Sequence, residues 1–122
     1  DPKNATYKIV NYYELLGEKV NIDSFAGMVR SVAAKLYDLD SSIIKEMAKN
    51  NESFPGWLLI AFSYDENAVK GAVELKKGSS IYISTGFSAH DCICFIRELL
   101  KKYELEEDFV YSARTNKTSE TN

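Results

Sequence analysis

The sequence predicts a small α+β domain: a two-layer sandwich with an N-terminal β-hairpin, two helices, then strands with a strand–helix–strand unit at the C-terminal end. Three observations predict it. The run Ser80-Ile81-Tyr82-Ile83-Ser84 alternates apolar and polar residues as a half-buried strand does. After the loop Thr85-Gly86-Phe87, Ser88 opens a helix with apolar positions Cys92, Phe95, Ile96, Leu99, Leu100 and Tyr103. Phe109-Val110-Tyr111 then reads as a second strand. Such a unit leaves an apolar face bare unless another layer covers it.

The remaining elements follow in chain order. Thr6–Leu16 is rich in Tyr, Ile, Val and Leu, and Gly17 interrupts it before Val20 and Ile22, so a hairpin turning at Leu16-Gly17-Glu18-Lys19 is expected. Asp23 or Ser24 caps a helix whose residues Phe25, Met28, Val29, Val32, Ala33 and Leu36 fall on one face. Gly27 and Ser31 lower its intrinsic propensity, so packing must hold it. Asp40-Ser41-Ser42 is a fresh cap, and Ile43, Ile44 and Met47 form a short second helix. Phe54-Pro55-Gly56 breaks the chain before Trp57. Leu58–Tyr64 reads as a buried strand, and Asp65–Gly78 as a loop with a weak strand or turn over Val69–Leu75. The two long helices share an apolar spacing, and both are expected on one face of a single sheet of four or five strands. The expected boundaries are a linker over residues 1–6, one domain over 7–113 and a flexible tail over 114–122.

Bulk composition narrows the function classes. A chain of 122 residues with 45% hydrophobic content can bury a core without disulfides or metal. A net charge of −3 argues against a broad nucleic-acid-binding face. Lys76-Lys77 and Lys101-Lys102 are the basic spots, and Glu104, Glu106, Glu107 and Asp108 dilute the second. No apolar run is long enough to cross a bilayer, and no signal-peptide pattern opens the sequence. The start at Asp1-Pro2 without a Met leads us to expect a piece of something longer. Cys92 and Cys94, two apart on a helix, point to different faces and are poorly placed to bond to each other. That pattern suits a reducing, cytoplasmic setting. The sequons at Asn4, Asn51 and Asn116 would matter in a secreted protein.

Each candidate for chemistry has an ordinary structural explanation. His90 and Cys94 share a helix face, so they could form a thiol nucleophile with its base. With Asp91 they could supply part of a metal site. The alternative is a packed Cys94 beside a solvated first-turn His90. Asp91, three residues after Ser88, matches a capping box with Asp in place of Glu. Asp38 with Asp40, and Asp65 with Glu66, could bind a cation, but fit helix ends and a turn equally. Phe54 and Trp57 could form an exposed docking patch, or close the core where helix meets sheet. Phe87 is placed to staple the helix start against Cys92.

The order of these segments resembles a family. Gly17-Glu18-Lys19-Val20, Phe25, Leu36-Tyr37-Asp38-Leu39-Asp40, Phe62-Ser63-Tyr64-Asp65, Gly78 through Ala89 and Ile96-Arg97-Glu98-Leu99-Leu100 form the series. It is similar to an uncharacterised module near the C-terminal end of bacterial and archaeal proteins associated with restriction or defence nucleases. The likeness covers most of residues 7–112, and Gly86 stands where related segments tend to carry Asn. It implies an accessory domain appended to an effector, without catalytic residues, metal or cofactor to carry over.

The expected function is therefore a non-catalytic accessory domain that makes protein contacts or dimerises within a larger bacterial protein. Its expected contact residues are Phe54, Trp57, Thr85, Phe87 and Ser88. The alternative is a nucleic-acid-binding module using Lys76, Lys77, Lys101 and Lys102.

Overall fold

The computed structural model describes residues 6–117, and the outer parts of the expected linker and tail, Asn4 among them, lie outside the described residues. β1 (Thr6–Leu15) and β2 (Glu18–Asn21) pair as an antiparallel hairpin. Their connection is tighter than expected, because Glu18 and Lys19 already belong to β2. The two turn residues, Leu16 and Gly17, both have positive φ (54° and 83°). That geometry matches the right-handed twist of the flanking strands. Gly17 adopts it freely, whereas Leu16 carries a Cβ into a conformation that costs about 1 kcal/mol.

β6 (Phe109–Lys117) pairs antiparallel along the other side of β1, from Leu15 opposite Phe109 to Thr6 opposite Lys117. The order β2-β1-β6 makes the first and last segments neighbours. Asn11 is an extra residue in β1, since Val10 faces Ala113 and Tyr12 faces Ser112. The bulge resets the alternation, so Val10 and Tyr13, three apart, are both buried. β6 also runs past the boundary expected at residue 113. Residues 114–117 are held by the backbone ladder with β1 and need no apolar anchor.

α1 (Phe25–Leu39) starts at Ser24, whose hydroxyl accepts from the Gly27 N–H (2.9 Å). A Cβ at Gly27 would lie 2.9 Å from that same oxygen. The glycine that weakens the helix thus makes room for its cap. Met28, Val29, Val32, Ala33 and Leu36 are buried, which is the face the spacing predicts. Asp40 ends α1 and caps α2 (Ser41–Lys49), accepting from the Ser42 N–H (3.0 Å) and hydroxyl (2.7 Å). Those two bonds hold the Asp40 carboxyl below the ordinary aspartate range.

α3 (Ala89–Tyr103) begins at Ser88, whose hydroxyl accepts from the Asp91 N–H (3.1 Å), as the capping pattern predicts. It buries Cys92, Phe95, Ile96, Leu99 and Leu100 and packs along α1. The Tyr103 hydroxyl, near its end, donates to the Asp40 carbonyl (2.8 Å) and so ties α3 to the α1–α2 corner.

The remaining strands are short. β3 (Phe62–Ser63), β4 (Val73–Glu74) and β5 (Tyr82–Ile83) form a second antiparallel sheet in the order β3-β5-β4. The α+β class holds, but the single sheet of four or five strands is replaced by two sheets of three. α3 leads from β5 in one sheet to β6 in the other, so the C-terminal strand–helix–strand unit bridges the sheets. One core joins them: Tyr13 and Leu15 from β1, Phe62 and Ile83 from the small sheet, and the buried faces of all three helices.

Candidate partner-docking surface

The segment between α2 and β3 is shaped by its backbone. Past α2, Asn51 turns left-handed (φ 51°), and the Glu52 N–H donates back to Met47 (2.9 Å). Phe54-Pro55-Gly56-Trp57 is a tight turn closed by the Trp57 N–H donating to the Phe54 carbonyl (2.9 Å). Pro55 presets the first corner, and Gly56 at φ 81° supplies the second, as a type II turn requires. The Ala61 N–H then donates to the Glu52 carbonyl (3.1 Å), drawing the ends of the loop together. Leu58 and Leu59 are carried on the outer part of that loop, 99% and 37% exposed.

This overturns the expected buried strand over Leu58–Tyr64, of which Phe62–Ser63 alone is strand. The apolar run carries no signal that separates a buried strand from an exposed loop. The one sign in the sequence is the Pro55-Gly56 turn just before it, which can redirect the chain outward.

Beneath the loop lies an aromatic cluster centred on Phe95 of α3. Its ring meets Phe54 (5.0 Å between centroids), Phe87 (5.5 Å), Phe62 (5.7 Å) and Trp57 (5.9 Å). Three of the four contacts are edge-on, the orientation that aromatic quadrupoles favour. Trp57 also stands edge-on to Phe54 (5.6 Å) and Phe87 (5.5 Å). The expected contact residues therefore divide. Phe54 is 2% exposed and belongs to the core, because its ring closes the gap between loop and α3. Trp57 and Phe87 are half-buried, each with one side in the cluster and one toward solvent. The Phe87 ring reaches Phe95, a turn beyond the Cys92 it was expected to staple.

Thr85 and Ser88 do structural tasks. The Thr85 hydroxyl donates to the Gly71 carbonyl (2.6 Å) and its N–H to the Lys70 carbonyl (3.1 Å), and Ser88 caps α3. What the structure brings together is an open groove of about 350 Å³ lined by Trp57, Leu58, Leu59, Phe87, Asp91 and Cys94.

His90 and Cys94 sit on the surface of α3 with Nε2 and Sγ 3.5 Å apart, so the pair does meet. Among the described residues, no group of three or more His, Cys, Asp or Glu is placed to hold a metal ion. Asp38 accepts from Lys76, and Asp65 caps a 3-10 turn at Glu66–Ala68 by accepting from the Asn67 N–H (2.9 Å). Both cysteines are free thiols, and burial pushes the Cys92 thiol above its ordinary range.

The expected basic spots are mostly neutralised. The Lys76 ammonium lies 2.6 and 2.8 Å from the two Asp38 oxygens. Lys101 pairs with Glu98 (3.1 Å) and Lys102 with Glu52 (3.4 Å), while Lys77 is exposed on the turn after β4. No helix among the described residues is long and apolar enough to cross a membrane. Comparison of the chain with protein-family models, curated proteins and solved structures finds no match.

Proposed function

We propose that this domain is a non-catalytic accessory module that makes protein–protein contacts, with the Trp57–Leu59 groove as its contact surface. The observation that carries this reading is Leu58, an apolar side chain 99% exposed beside two half-buried aromatics. Burying a leucine side chain on association contributes about 2 kcal/mol, and nothing in the isolated fold makes use of it. An apolar centre rimmed by charge is the usual anatomy of a contact site, and Asp91 supplies part of that rim. The resemblance of the segment order to accessory modules of restriction- and defence-associated proteins is in keeping with the same role in a larger bacterial protein. The two free thiols fit a reducing cytoplasm. The lysine pairings make a nucleic-acid surface the weaker choice.

The test is a photo-crosslinking residue at position 58 in the full-length protein, alongside Leu58→Asp. The expected result is crosslinking to one defined protein segment, and loss of that association in Leu58→Asp with an unchanged far-UV spectrum. Crosslinks scattered over many proteins, or an association indifferent to Leu58→Asp, would remove the groove from consideration.

A further inference from the structure

α3 has an open groove along each flank, and the two differ in charge. On one side lies the Trp57–Leu59 groove, whose charged lining residue is Asp91. On the other, α3 meets the first residue of α1 and the strand β6. There a groove of about 380 Å³ is lined by Phe25, Ala89, His90, Ile93, Arg97 and Tyr111. Ala89, Ile93 and Arg97 are spaced four apart and so follow one another along the helix surface. Phe25, Ile93 and Tyr111 are half-buried against the core. The Phe25 and Tyr111 rings stand edge-on, 6.3 Å between centroids, and give the groove an aromatic wall.

In a chain of net charge −3, this lining holds no carboxylate. Three other open grooves, of about 340, 350 and 460 Å³, each carry at least one, Asp38, Asp91 and Glu46 among them. Arg97 is exposed, and among the described residues no carboxylate pairs with it. Its neighbour Glu98 pairs with Lys101 instead (3.1 Å). Its guanidinium is thus a permanent cation at one end of an apolar trough. His90 stands two helical turns away, with Nε2 against Cys94 Sγ (3.5 Å) and Nδ1 without a partner among the described residues.

We propose that this groove binds a small aromatic carboxylate, the carboxylate on Arg97 and the ring against Ile93, Phe25 and Tyr111. Charge and shape choose the ligand. The guanidinium fork matches a carboxylate through two parallel N–H donors. A doubly charged phosphate would leave one charge uncompensated, since Arg97 is the one permanent cation in the lining. The volume lies at the low end of small-molecule sites, whose walls are mostly apolar with a few placed polar groups. The site is separate from the Trp57–Leu59 groove and does not depend on it.

Titration of the isotope-labelled 122-residue chain with naphthylacetate, followed by amide and Arg97 side-chain NMR shifts, tests the proposal. Naphthylacetamide is the uncharged counterpart. The expected result is saturable shifts at Phe25, residues 89–97 and Tyr111, with a Kd of about 1 mM or tighter. The amide should bind about tenfold more weakly, and Arg97→Gln should weaken the acid by about tenfold while leaving the amide unchanged. A merely misfolded variant would lose both. Equal binding of acid and amide, an acid indifferent to Arg97→Gln, shifts confined to the Trp57–Leu59 groove, or no binding at all would each overturn the proposal.

Discussion

The two sheets have three antiparallel strands each and are held in opposite ways. In the β2-β1-β6 sheet, strands of nine and ten residues support each other through a long backbone ladder interrupted only by the bulge at Asn11. In the β3-β5-β4 sheet every strand is two residues long, so the ladder contributes little. Backbone bonds just beyond the strands (Leu75 N–H to Ile81, Ser84 N–H to Ala61) extend it slightly, and side chains reinforce it. The Ser84 hydroxyl donates to the Lys70 carbonyl (3.1 Å) and the Ser63 hydroxyl to Asn51 (2.6 Å). The Glu74 carboxylate accepts from the Gly78 and Ser80 N–H groups, shaping the turn between β4 and β5. Behind them Phe62, Ile81 and Ile83 are buried in the common core, and the Phe62 ring meets Phe95 of α3. Away from the buried Val10, Tyr13 and Leu15, the long sheet should tolerate side-chain change that the short sheet does not.

The largest test of that contrast is Phe95→Ala. Its ring is fully buried and meets four other aromatics, so truncation should cost about 3–5 kcal/mol in urea unfolding. Hydrogen exchange should show β3, β4 and β5 opening before β1 and β6. Simultaneous opening would mean that the two sheets share one fate and the distinction is one of appearance.

A smaller effect sharpens it. Ser84 is fully buried and its hydroxyl bonds a loop carbonyl, so Ser84→Ala should lower stability by ~1–3 kcal/mol. The same exchange at Ser112, in the ladder of β6, should stay within ~0.5 kcal/mol by thermal unfolding. Equal costs would break the comparison.

The smallest effect has the opposite sign. Leu16→Asn in the β1–β2 turn should raise stability by ~0.5–1 kcal/mol, because Leu16 is half exposed and Asn tolerates its left-handed backbone. A loss in chemical denaturation would show that the Leu16 side chain contributes more by packing than its backbone costs.

The same contrast separates what is legible in the amino-acid sequence from what is not. α1 and α3 each repeat an apolar face over about four turns, so the buried sets from Met28 to Leu36 and from Cys92 to Leu100 can be read directly from the spacing. The caps at Ser24, Asp40 and Ser88 are legible too, because a short polar side chain stands just before each apolar face. A two-residue strand has no period, so β3, β4 and β5 show as apolar spots without revealing that they form their own sheet. The bulge at Asn11 is hidden for the same reason, since a single inserted residue looks like any polar residue in a strand. At the Trp57–Leu59 groove, the aromatic character of Trp57 and Phe87 marks them as neighbours of an exposed patch. Leu58 escapes such a reading, since apolar residues pass for core until the backbone shows which way the chain turns.

Thr6 and Lys117 are register partners at the open end of the β1–β6 ladder. A pull applied to the chain at those two residues would load the ladder at one rung, then the next, like a zipper. The alternative, shearing, would strain every rung at once. The domain should therefore yield to low stretching forces along this axis however well it resists heat or denaturant, which makes it a poor mechanical link and a ready force release.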